Sequence, residues 1–125
     1  MDIRGTIGEY FNICSDGYSF NINNAYGSIC DESVMANIAN ANSQIEDIKN
    51  LQFYNYDNTV ANTRYLGLIA NEVMNVSPGL VKTTSDGCKT IAYSILYLKG
   101  IKALQEIIDK VEKLEANVAI LQSYH

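Results

Sequence analysis

Gly67-Leu68-Ile69-Ala70-Asn71-Glu72-Val73, followed by Ser77-Pro78-Gly79-Leu80-Val81, is the stretch that decides how this chain is read. Residues 65–69 suit a strand and residues 70–76 a short helix. Pro78 stops that helix, because its ring removes a backbone donor and restricts Ser77 before it. Beyond it, residues 80–84 and 89–93 read as two strands, and the Ser85-Asp86-Gly87 turn between them is a hairpin signal. On the other side, Ser43 and Glu46 form an S-x-x-E capping box. Ile45, Ile48 and Leu51 follow at helical spacing, so residues 43–51 read as a helix. Residues 52–56 read as an aromatic strand ended by Asp57-Asn58, with a loop to about residue 63.

The two ends of the chain differ in character. Within residues 1–30, Ile7, Tyr10, Phe11, Ile13, Tyr18, Phe20, Ile22, Tyr26 and Ile29 are punctuated by Gly, Asn, Ser and Asp. This is the pattern of short strands and turns, too little to make a stable sheet alone. From about residue 94 to 121 there is no Pro and Gly100 is the single Gly. Leu104, Ile107, Val111, Leu114, Val118 and Leu121 alternate by three and four, a heptad seam. With Leu104 at position a, Lys110 falls at g and Glu115 at the following e, where parallel helices exchange charges. Ile101 and Ile108 widen the stripe, which favours three helices over two. The competing reading is an amphipathic helix folded back on its own domain. Association between chains is preferred, because so short a chain has little core for such a helix to cover.

The 125 residues, 47% hydrophobic, are read as one small globular domain with an extension. A net charge of −5 argues against a nucleic-acid grip, which needs a basic face. No apolar run is long enough to span a membrane, and Met1-Asp2-Ile3-Arg4 lacks the basic-then-apolar pattern of a signal peptide. Cys14, Cys30 and Cys88 are an odd number without close pairing, so neither a disulfide framework nor a metal site is expected. Reduced thiols in an intracellular compartment fit best. Cys14 and Cys88 are read as small buried residues. The sole His, His125, leaves no basis for His catalysis, and no cofactor is expected. The tyrosines are read as strand and interface residues. Lys99, Lys102, Lys110 and Lys113, interleaved with acids, are read as a solvated helix face. Glu72 is read as a hydrogen-bonding or capping carboxylate.

Taken in order, the blocks resemble the endosialidase-type intramolecular chaperones, C-terminal domains of phage tailspikes and tail fibres with a relative in the myelin regulatory factors. The central stretch is similar to that family's G-x-I-A-Q-E-V-x(4)-P-x-x-V signature at Gly67, Ile69, Ala70, Glu72, Val73, Pro78 and Val81, with Asn71 in place of Gln. Residues 30–38 resemble its S-D-x-R-x-K-x-N-I start, matching at Asp31, Asn37 and Ile38. Ile45, Ile48, Leu51 and Phe53 resemble I-x-x-L-x-P-V-x-F, with Asn50 where Pro is usual. Thr90-Ile91-Ala92-Tyr93 resembles V-D-Y-S, and Ile101-Lys102-Ala103-Leu104-Gln105 resembles I-K-E-L-Q. The similarity covers about residues 30–121.

The resemblance implies an α+β fold in three parts: a β-rich stalk end over 1–29, a small mixed chaperone body over 30–98, and a helix over 99–125 forming a trimeric coiled coil. The reading from periodicity divides the chain in the same way. It further implies a homotrimer that acts on the fibre region of its own parent chain, in a virion or in host cytoplasm during viral assembly. Family members cut themselves with a Ser nucleophile and a Lys base, and here Cys30 and Met35 hold those positions. The bond transferred would be Ile29–Cys30. An unassisted thiol is mostly protonated near neutral pH, and a thioether accepts no proton. The pair is therefore a nucleophile without its base, and the expectation is an assembly module that stays attached. The alternative is a peptidase using Cys30, with Lys49, Lys82 or Lys89 entering the site or Asp31 assisting. A weaker alternative is the trimerising module of a myelin-regulatory-type transcription factor, although this chain holds neither a basic DNA-binding region nor a membrane span.

Overall fold

The computed structural model describes residues 28–60 and 62–124, with the backbone of residues 11–13 and 19–21. The chain is mixed α+β, with small antiparallel sheets and a long C-terminal helix. It divides into two compact units, residues 1–40 and 41–125.

In the first unit, β1 (Phe11–Ile13) and β2 (Ser19–Asn21) pair antiparallel, with Asn12 opposite Phe20. Ile7, Tyr10, Cys14, Tyr18, Ile22 and Tyr26 lie outside the described residues. A 3-10 turn, Glu32–Val34, follows. Asp31 caps it by accepting the Ser33 backbone N–H at 2.8 Å. Asn37 takes a left-handed φ of 55°, a conformation Asn tolerates better than most residues. Every described residue from Ser28 to Asn40 is exposed.

The second unit is built around the central stretch. Helix α2 (Ala70–Val76) forms as its spacing predicts and ends where Ser77 N–H reaches the Val73 carbonyl at 2.8 Å. Pro78 also opens a 3-10 turn, Pro78–Leu80, for which its φ is suited. These two short helices place Val73 and Leu80 at the centre of the core, 2% and 1% exposed. Leu51 and Leu96 complete the core, edged by Ile48, Leu68, Val76, Val81 and Ile91.

The strands sit slightly away from their expected bounds. β3 is Tyr54–Asn58 and β4 is Thr63–Gly67, rather than 52–56 and 65–69. Asp57 and Asn58 prolong the hairpin instead of ending it. Arg64 bonds Asp57 across the strands at 3.0 Å, and the Asn58 side chain accepts the Val60 N–H at 2.9 Å to start the turn. β5 (Val81–Thr83) and β6 (Lys89–Ile91) form the expected hairpin, shortened because Leu80 joins the 3-10 turn and Ala92 caps the next helix. Gly87 turns it with φ +91°, where a side chain would be strained. Cys88 lies exposed beside that turn, not buried as expected, because a two-stranded hairpin leaves its tip in solvent.

Helix α1 (Ile45–Asn50) starts later than the Ser43 capping box implies. Gln44 occupies the N-cap, and Ser43 Oγ makes only a long 3.4 Å bond to Ile45 N–H. The carboxylate that serves this end is Glu106, accepting the Gln44 N–H at 2.9 Å from the far side of the sequence. Helix α3 runs unbroken from Tyr93 to Gln122, 30 residues and about 45 Å long.

Candidate functional site

Two neighbouring rows of α3 do different things. Leu96, Lys99, Ala103 and Glu106 recur at helical spacing on the row that meets the body. Leu96 and Ala103 are each 6% exposed. Lys99 bonds the Asp47 carboxylate at 2.9 Å and the Gln44 side-chain oxygen. Its side chain is largely covered, which corrects its reading as part of a solvated face. The Lys99 hydrogen bond holds the Asp47 carboxyl below its usual range against the opposing effect of burial, and the buried Ser77 hydroxyl adds to it. Glu106 is likewise lowered, first by the Gln44 N–H, then by Ser43 and the nearby charges of Lys102 and Lys110. These polar contacts clamp α1 across residues 99–106 of α3.

The next row carries the seam and is uncovered. Leu104 is 57% exposed, Ile107 42%, Val111 46%, Leu114 61%, Val118 50% and Leu121 64%. From Ile107 to Tyr124 every residue is exposed. The stripe is an apolar helix face that the described residues of the chain leave open to solvent. At its body end lies an apolar groove of about 420 Å³ between Ile48, Phe53, Leu96, Tyr97, Gly100, Ile101 and Leu104.

The central signature residues act as braces. A Cβ on buried Gly67 would come within 2.8 Å of the Tyr56 ring and 3.4 Å of the Tyr93 hydroxyl. Glycine at 67 thus lets the Tyr56 ring lie directly against the backbone, near the start of α3. Ile69 caps α2 and Ala70 opens it. Asn71 accepts from Lys89 at 3.2 Å, and Glu72 accepts the Tyr54 hydroxyl at 2.9 Å, raising the Tyr54 pKa. Ala92 N–H bonds the Leu80 carbonyl at 2.8 Å, joining the 3-10 turn to the start of α3 beside Tyr93.

In the first unit, Ile29, Cys30 and Met35 are exposed. The Cys30 Sγ lies 3.2 Å from the Ser28 hydroxyl, which is no general base. Asp31 spends its carboxylate on capping, and the Ser33 side-chain and backbone hydrogen bonds lower its pKa, making it a weaker base. Ile38 is 66% exposed. Lys49, Lys82 and Lys89 belong to the other unit. Among the described residues no three His, Cys, Asp or Glu side chains gather as a metal site, and no helix is long and apolar enough to cross a membrane.

No protein-family model and no curated protein matches this chain. The polar clamp of Gln44, Asp47, Lys99 and Glu106 escaped the sequence reading. Its trace was the placement of Lys99 three residues after Leu96 and four before Ala103, on the same helical face.

Proposed function

We propose that this chain is a homotrimeric intramolecular chaperone, the part of a viral fibre- or spike-type protein that brings three copies together and remains attached. The observation that carries the reading is the seam of Leu104, Ile107, Val111, Leu114, Val118 and Leu121. It has heptad spacing and, among the described residues, it is left exposed. A 3.5-residue apolar period on an isolated helix is satisfied by copies of that helix. The wide stripe made by Ile101 and Ile108 favours three of them, and Lys110 with Glu115 gives a parallel neighbour complementary charges.

Such a module has a clear physical use. Intertwined β stalks have non-local contacts, so loop closure and association oppose folding before any contact is gained. A domain that trimerises first raises the effective concentration of the chain segments attached to it. In this reading the body over residues 30–98 spaces the three helices, and residues 1–29 are the end of the stalk. Retention follows from Met35, which cannot activate Cys30, and from an Asp31 already engaged as a cap.

Native mass spectrometry with intact mass tests it. A trimer of uncut chains is expected. A trimer of fragments beginning at Cys30 would instead establish the Cys30 peptidase, and a monomer would remove both readings.

A further inference from the structure

We propose that the groove beside Gly100 is filled by the Tyr97 ring of a second copy of this chain. This rests on the self-association read from the seam. Carried back one heptad from Leu104, the register puts Tyr97 at position a, Gly100 at d, Leu96 at g and Tyr93 at the preceding d. In a parallel coiled coil an a-position knob enters a hole made by four residues of its neighbour. For Tyr97 those four are Tyr93, Leu96, Tyr97 and Gly100, and the last three line the groove.

Among the described residues nothing fills the gap. A Cβ built on Gly100 meets nothing within 4 Å. A glycine inside a helix is unfavourable relative to alanine, and at d it leaves a hole in the seam. Tyr97 is the large side chain at hand, 64% exposed and only loosely set against Tyr93, at 6.3 Å between ring centres. Its ring suits a pocket of apolar walls and its hydroxyl can stay at the rim in water. The groove is continuous with Leu104, the first seam residue, and Ile48 and Phe53 of the body also line it. The neighbour's ring thus touches the body as well as the helix. Body and coiled coil are locked in one register, which the exposed Lys110 and Glu115 pairing alone would hold only weakly.

The test compares Gly100→Leu, Tyr97→Ala and the double variant with the 125-residue chain by sedimentation equilibrium. Blocking the hole or removing the knob weakens association at least tenfold. The double variant is no worse than the poorer single one, because both changes delete one contact. Tyr97→Ala alters an exposed side chain and leaves the body folded, so its loss of affinity is read on a native chain. A plain coiled coil behaves oppositely: a leucine at d, with the glycine gone from the helix, tightens the assembly. A Gly100→Leu trimer as tight as the parent overturns the groove assignment and leaves the seam standing. A monomeric parent chain overturns both.

Discussion

Replacing Leu114 with Asp is the sharpest test of the exposed seam. Leu114 is 61% exposed in the single chain and lies about two turns beyond Glu106, which bonds the start of α1. Complete burial of a leucine side chain stabilises by about 1.5–3 kcal/mol, so covering the open part contributes about 1–2 kcal/mol per chain and about 3–5 kcal/mol per three chains. Losing that alone lowers the three-chain association constant roughly 10²- to 10⁴-fold. Three carboxylates in one layer then add desolvation and mutual repulsion, which at neutral pH leave no stable trimer. Sedimentation velocity at the loading concentration where the parent is trimeric reads the result. Helical circular dichroism should fall as well, because a lone exposed helix takes most of its stability from packing. The core of Leu51, Val73, Leu80 and Leu96 is untouched, so near-ultraviolet tyrosine signals from the body persist. If Leu114→Asp remains a trimer of unchanged sedimentation coefficient, the seam is not the interface and the reasoning fails.

The clamp between α1 and α3 should give the body a modest acid sensitivity. Asp47 and Glu106 have folded pKa values below their ordinary ones, so their stabilisation is present above the unfolded carboxylate range of about 4 and is lost as pH falls through the folded values. The melting temperature should therefore drop below about pH 4, less steeply in Glu106→Gln, and parallel profiles for the two chains would count against the clamp. Gly67→Ala drives a methyl into the Tyr56 ring and should destabilise the chain by about 1–2 kcal/mol, seen as a lower urea midpoint. A midpoint at or above that of the parent would show that the tyrosine simply swings away. Prolonged incubation of the folded protein should leave its mass at 13.9 kDa. A fragment starting at Cys30, abolished by Cys30→Ala, would show that the thiol has found a base.

Local chemistry accounts for what could be read in advance. Pro78 and the apolar spacing of 70–76 gave α2 its bounds, Gly87 gave the β5–β6 hairpin its turn, and the absence of Pro after residue 94 gave the long helix. Strand ends were less legible, since Asp57 and Asn58 are turn-forming residues that here pair with Arg64 and Thr63 of β4. Cys88 misled because small apolar character says nothing of place, and a hairpin tip has no second layer to cover it.

The sequence by itself determined the order of the main helices and hairpins and the heptad spacing, because each depends on neighbours a few residues away. Tertiary structure alone decided which row of α3 is used by the body. Leu96, Lys99, Ala103 and Glu106 lie one residue out of phase with Tyr97, Gly100, Leu104 and Ile107, about 100° around the helix. Only the partners of the first row, Gln44 and Asp47 from far earlier in the chain, leave the second row free.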